Sequence, residues 1–173
     1  MTNTNTTAEA KTYEDLLNQY EQLAYEAYYE AKDLDLYHHY KDAGSELFYA
    51  LRRQGWSMTH GDNGWEVERL ATEPNPNLGG GSNYTPTEGL NEALNRFDAT
   101  ISETFGEELG SIEHFAYTER LSFTTVRFAD GGYISYRVRP GYVVEDTYHT
   151  TGDRLRRGLR AFGLTVPGWC YDC

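Results

Sequence analysis

Apolar positions recur at helical spacing from about Thr12. At 100° per residue, Tyr13, Leu16, Leu17, Tyr20, Leu23, Ala24, Ala27, Ala31 and Leu34 share one broad face. Asp15, Glu26 and Asp33 fall opposite, with Glu14, Glu21 and Glu30 on the flanks. The pattern predicts one long amphipathic helix with an acidic outer side, opened by Thr12 as N-cap with Asp15 three residues on. Ahead of it Met1–Thr7 is polar and aperiodic, so residues 1–11 are expected to form a disordered arm. A second helix is predicted from Gly44 to Gln54, with Leu47, Phe48 and Leu51 inward and Gly55 as its stop.

The period then changes. Trp56–His60 and Trp65–Leu70 flank Gly61-Asp62-Asn63-Gly64, and Asn-Gly marks a hairpin because both residues accept positive φ. Residues 72–85, with Pro74, Pro76 and Gly79-Gly80-Gly81, read as a loop. Thr85-Pro86-Thr87-Glu88 opens a further helix, with Thr85 as hydroxyl cap, proline first and glutamate third. Leu90, Leu94, Phe97, Ile101 and Phe105 line its core face, and Glu88, Glu92 and Glu103 lie opposite. From about Phe115 to Arg139 antiparallel strands are predicted, Leu121–Phe128 and Tyr133–Arg139 flanking Asp130-Gly131-Gly132, with Gly141–Tyr148 as a third. A last helix runs from about Asp153 to Phe162, Leu155, Leu159 and Phe162 inward and Arg154, Arg156, Arg157 and Arg160 outward.

Helices and strands are segregated along the chain, which predicts an α+β fold of several amphipathic helices packed on a small antiparallel sheet built from hairpins. Residues 12–173 are expected to form one domain, and loop 72–85 is where an internal boundary would fall.

Charge changes this picture most. The net charge is −12, and it is uneven. Residues 1–40 carry −6, 41–70 carry −1, 71–113 carry −7 and 114–173 carry +2. Such a field repels nucleic acid and anionic membrane and attracts basic proteins, so direct nucleic-acid or membrane binding is not expected. No apolar run approaches membrane-spanning length and the N-terminus is polar, which predicts a cytoplasmic protein (the host cytoplasm, if viral) with reduced thiols. Only three of the 15 basic residues are Lys, a balance that also fits simple adaptation to a salty cytoplasm or a GC-rich genome. Tyrosine is abundant, 15 against 7 Phe, and its apolar body with a polar tip suits both core margins and recognition surfaces.

Chemistry is sparse. Cys170 and Cys173 form a lone C-x-x-C at the end of the sequence, and zinc needs four ligands; His114 and His149 have no spacing that would supply the others. His60 stands beside Asp62 in a turn that both residues favour for conformational reasons. No Ser lies in a nucleophile elbow, and Gly79-Gly80-Gly81-Ser82 lacks the phosphate-loop pattern. No catalytic residue, metal or cofactor is expected.

The strongest functional signal is therefore acidic helix faces. On the first predicted helix Glu26, Glu30 and Asp33, at i, i+4 and i+7, are expected to step their carboxylates by about 5–6 Å along the axis, which resembles the phosphate repeat of a nucleic-acid strand at roughly 3.4 Å. Glu21, Tyr25 and Tyr29 flank them; Glu88, Glu92 and Glu103, with Glu107, Glu108 and Glu113 beyond, extend the track. The ordinary reading is a solvated face kept polar for solubility. The C-terminal arginines compete with the idea, since they can pair internally with acids and blunt the surface. The expectation is a non-enzymatic inhibitor that docks acidic, tyrosine-bearing helices onto a basic nucleic-acid-binding or nucleic-acid-cutting enzyme by nucleic-acid mimicry, of anti-restriction, anti-CRISPR or toxin-immunity type. Two alternatives stand beside it: a small hydrolase using His60 and Asp62 or the terminal thiols, and an accessory phage or plasmid protein with no inhibitory role.

Overall fold

Ala8, Glu9, Ala10 and Lys11 are strong helix formers, and in the computed structural model of the chain the first helix runs through them. Residues 3–79 and 84–171 are described, with side chains over 6–79 and 84–169. The chain divides into two compact units, Met1–Leu70 and Ala71–Cys173. It is α+β: among the described residues, four α-helices accompany a two-stranded hairpin and a four-stranded antiparallel sheet. No described helix is long and apolar enough to cross a membrane.

In the first unit, α1 spans Asn3–Tyr25 and so begins well before Thr12, inside the segment expected to be an arm. Thr12 is not its cap: the hydroxyl donates to the Ala8 carbonyl at 3.0 Å, one turn back along the same helix. Ala10 packs on the core formed by Leu17, Leu51, Trp56, Met58 and Val67. A π-helical turn, Glu26–Glu30, follows directly, and α2 then spans Leu34–Arg53. The expected single helix to Leu34 is thus a helical hairpin, and α2 starts ten residues before Gly44.

The strands β1 (Trp56–Gly61) and β2 (Gly64–Arg69) pair as predicted, with Gly61 opposite Gly64. The outer edge of β2 is tied to α1: Trp65 N–H donates to Asn18 Oδ1 at 2.8 Å and Val67 N–H to Glu14 Oε1 at 3.0 Å. Gly64 is required twice over, by its φ of +99° and because a Cβ would lie 2.5 Å from Asn18 Oδ1.

In the second unit α3 spans Glu88–Phe105, and its expected face of Leu90, Leu94, Phe97, Ile101 and Phe105 is buried. Its cap is Thr87, not Thr85: the Thr87 hydroxyl accepts from Leu90 N–H at 3.2 Å, while the Pro86 carbonyl accepts from Ala71 N–H at 2.8 Å. The strands β3 (Leu109–Thr118), β4 (Leu121–Phe128), β5 (Tyr133–Arg139) and β6 (Tyr142–His149) form a meander in that order. One sheet face, including Val126, Phe128, Ile134, Tyr136 and Val138, packs with α3 and with Leu155 and Leu159 of α4 (Gly152–Arg160). The approach is close at Gly158, whose carbonyl accepts from the buried Tyr136 hydroxyl at 3.1 Å. Burial, with the Glu145 charge adding, pushes the Tyr136 phenol well above its usual pKa, so it remains a donor.

Candidate partner-binding groove

The break between α1 and α2 decides where the predicted site residues go. Ala31 N–H bonds back five residues to Glu26 O and Asp33 N–H bonds to Ala27 O, both at 2.9 Å, so the turn is wider than an α-helix. Lys32 takes φ +52°, rare for a non-glycine residue, and ends the helix. Asp33 then caps α2, its carboxylate accepting from Leu36 N–H at 3.0 Å. The predicted comb of Glu26, Glu30 and Asp33 is therefore not formed: the i, i+4, i+7 spacing holds only on one continuous α-helix, and Asp33 belongs to the next. The acids have separate surroundings. Glu26 is half-buried and accepts from Gln22 Nε2 at 2.9 Å, whereas Glu30 is exposed. Both oxygens of Glu21 lie 3.0 Å from His60 Nε2. His60, read from the sequence as standing beside Asp62 in the turn, is held by a carboxylate on α1 and packs edge-on to Trp65 at 5.1 Å.

What the hairpin builds is a tyrosine-lined groove of about 680 Å³ in the first unit. Tyr20, Tyr25, Tyr28 and Tyr29 enter it from α1 and the π turn, and Tyr37, Tyr40 and Tyr49 from α2. That is seven of the chain's 15 tyrosines. Small residues leave the space between the helices: Ala24 and Ala27 are buried, and a Cβ on Gly44 would stand 3.4 Å from that of Tyr20. Phe48 and Trp65 add apolar wall; Glu21, His60 and Lys41 are the titratable groups other than tyrosine in the lining. The rings run in contact from Tyr25 to Tyr29 (4.7 Å), Tyr29 to Tyr28 (4.8 Å) and Tyr28 to Tyr37 (5.2 Å). Yet Tyr25, Tyr28, Tyr29 and Tyr49 are 45–62% exposed. Large aromatic rings left open in a concave wall are the composition of a recognition surface.

Of the predicted residues, Glu21, Tyr25 and Tyr29 line the groove, and Glu26 and Glu30 belong to the π turn that carries its rim. Glu88, Glu92 and Glu103 lie in the second unit on α3, where Glu92 and Glu103 are exposed and Glu88 is half-buried. Of the acids beyond them, Glu107 and Glu108 lie in the short 3-10 turn that follows α3, Glu108 engaged by arginine, and Glu113 is on strand β3. Arg154 bonds Glu108 and Asp130, Arg157 bonds Glu108 and Asp153, and Arg156 bonds Asp153. Hydrogen bonds from Arg157 and then Arg154 hold the Glu108 carboxyl below its usual pKa range. These arginines serve the unit's own carboxylates, the internal pairing that competed with a free acidic surface.

A buried polar network in the second unit was not foreseen. His114, 1% exposed, places Nδ1 2.7 Å from Thr124 Oγ1 and Nε2 2.7 Å from Asp98 Oδ1. A carboxylate only accepts, so Nε2 carries the proton and donates; in the neutral ring Nδ1 accepts from the Thr124 hydroxyl. Ser122 Oγ stands 3.2 Å beyond Thr124 Oγ1. The order carboxylate, imidazole, hydroxyl resembles a catalytic relay, but Ser122 and Thr124 are fully buried, so no substrate carbonyl reaches them. The network fastens the 75–79 segment to α3 and β3. Asn75 and Asn77 both donate to Asp98 Oδ2, and Gly79 N–H donates to His114 O at 2.6 Å. Burial opposes ionisation of Asp98, but hydrogen bonds from His114 and Asn75, attraction to the imidazole and the Asn77 bond together keep its carboxyl below the usual range.

Among the described residues no three His, Cys, Asp or Glu side chains are grouped to hold a metal. The Cys170 side chain and Cys173 lie outside the described residues, as do Gly80-Gly81-Ser82. No family model, curated protein or solved structure matches this chain.

Proposed function

We propose that the protein is a non-enzymatic binding module that docks the tyrosine-lined groove and acidic rim of its first unit onto a basic protein, and so blocks it. The proposed partner is a nucleic-acid-binding or nucleic-acid-cutting enzyme, whose cationic cleft the carboxylates meet in place of phosphate. The observation that carries the reading is the groove: seven tyrosines converge, four of them largely exposed, in a unit whose 13 acids outnumber its six bases. Tyrosine supplies rigid amphipathic contact area at small entropic cost, and the surrounding negative field speeds encounter with a basic surface. Attraction here rests on field and aromatic contact. It does not rest on phosphate-like spacing, because Asp33 is used as a helix cap.

The test is capture from a host extract at low and high salt, with wild type and a Glu26→Lys, Glu30→Lys double variant. The reading expects a basic, nucleic-acid-binding protein that elutes with salt and whose association with the variant slows at least about tenfold at low salt. Capture unchanged by charge reversal and by salt would remove it. A hydrolase has one observation in its favour, the Glu21–His60 pair on the groove wall, since a carboxylate that orients a histidine is also the support of a general base. It requires turnover of a simple ester probe that His60→Ala abolishes.

A further inference from the structure

We infer that the groove reads arginine in preference to lysine. This deepens the binding reading above and depends on it. The lining holds one carboxylate, Glu21, and one ammonium, Lys41, and arginine and lysine carry the same unit charge, so point charge does not separate them. What the groove offers in excess is aromatic faces. Tyr25, Tyr29 and Tyr28 form a contiguous tilted and edge-to-face cluster at centroid separations of 4.7 and 4.8 Å, with Tyr25 and Tyr29 54% and 62% exposed.

A planar, weakly hydrated guanidinium lies flat on such a ring while its N–H fork reaches a carboxylate edge-on; an ammonium is a compact, strongly hydrated point charge that does neither well. Three carboxylates belong to the same helical stretch. Glu21 lines the groove with both oxygens directed at His60 Nε2, and Glu26 and Glu30 stand in the same π turn as Tyr28 and Tyr29. The same chain places Arg69 5.2 Å from the Trp56 ring centroid and Arg139 5.1 Å from that of Tyr142, the geometry a partner's arginine would adopt on these rings. The occupant is therefore an extended, arginine-bearing segment of the basic partner.

The experiment titrates the full chain with three labelled peptides: alternating Arg-Gly, alternating Lys-Gly and a neutral proline-rich sequence. Wild type should bind the arginine peptide at least about threefold tighter than the lysine peptide. Tyr25→Leu with Tyr29→Leu keeps apolar bulk and removes the ring faces, and should abolish that preference. Tyr25→Phe with Tyr29→Phe keeps the faces and should retain it. Lys41→Met should tighten both cationic peptides. Equal affinity for arginine and lysine, a preference that survives the leucine pair, or tighter binding of the proline-rich peptide would each overturn the inference. Salt-sensitive capture of a basic protein alongside equal peptide affinities would sink the arginine preference and leave the binding function standing. Loss of both would sink both.

Discussion

Asp98→Asn isolates the buried network because the substitution preserves shape. The carboxylate accepts from His114 on one oxygen, and from Asn75 at 2.8 Å and Asn77 at 3.0 Å on the other. An amide can still accept from His114 through its oxygen, but its nitrogen then confronts two amide donors. Each hydrogen bond to a charged group is worth about 1.5–3 kcal/mol. Asn77 is exposed and can turn to water, and Asn75 keeps a second acceptor in Asn95 Oδ1 at 2.7 Å, so the net loss should be about 2 kcal/mol. That corresponds to roughly thirtyfold in local opening. Hydrogen exchange should locate it at the Gly79 and His114 amides, which bond the His114 and Asn77 carbonyls. Urea unfolding should show its pH dependence. Asp98 is held below its unfolded pKa of about 3.9, so its stabilisation is fully present above that value and is lost as pH falls through the lower folded value. The part of the gap that belongs to the Asp98 carboxylate should therefore be present at neutral pH and close as pH falls below about 4. No gap at neutral pH, or one undiminished in acid, would refute the network's proposed role.

Gly158→Ala places a Cβ 2.7 Å from Tyr136 Oη and 2.8 Å from Ile134 Cδ1, both fully buried residues, and should cost about 1–3 kcal/mol despite the better helix propensity of alanine, read as a lower urea midpoint. Asp33→Ala should lower stability by about 1 kcal/mol through loss of the α2 cap, while Asp33→Ser restores it; both should capture the basic partner as wild type does, since the carboxylate's task is local.

Where a local turn residue forces the backbone, the fold was legible. Asp62-Asn63-Gly64 and Asp130-Gly131-Gly132 close the hairpins predicted for them, with Gly131 at φ +94° and Asp130 Oδ1 accepting from Gly132 N–H. The α3 face was legible too, because a burial period of 3.6 sustained over five apolar residues has no competing solution. The α1–α2 break was not, because Ala31-Lys32-Asp33-Leu34 contains neither glycine nor proline and continues the helical period. The chain ends its helix there through a positive φ at Lys32, a residue that gives no sequence signal for that conformation, and a cap at Asp33 whose partner lies downstream. This one break dissolved the acidic comb and made the groove. A clue was present in the chain, eight of the 15 tyrosines between Tyr13 and Tyr49, but their convergence depends on the hairpin. The His114 network was hidden for a different reason: strand register sets His114 opposite Thr124, and only packing of α3 on that face adds Asp98.

The most direct measurement labels tyrosine rings with ¹³C and follows the 15 tyrosine signals as the captured basic protein is added. The account predicts shifts in the seven groove tyrosines, largest for Tyr25 and Tyr29, with Tyr117, Tyr142 and Tyr148 of the second unit unmoved. Shifts confined to second-unit tyrosines would contradict it.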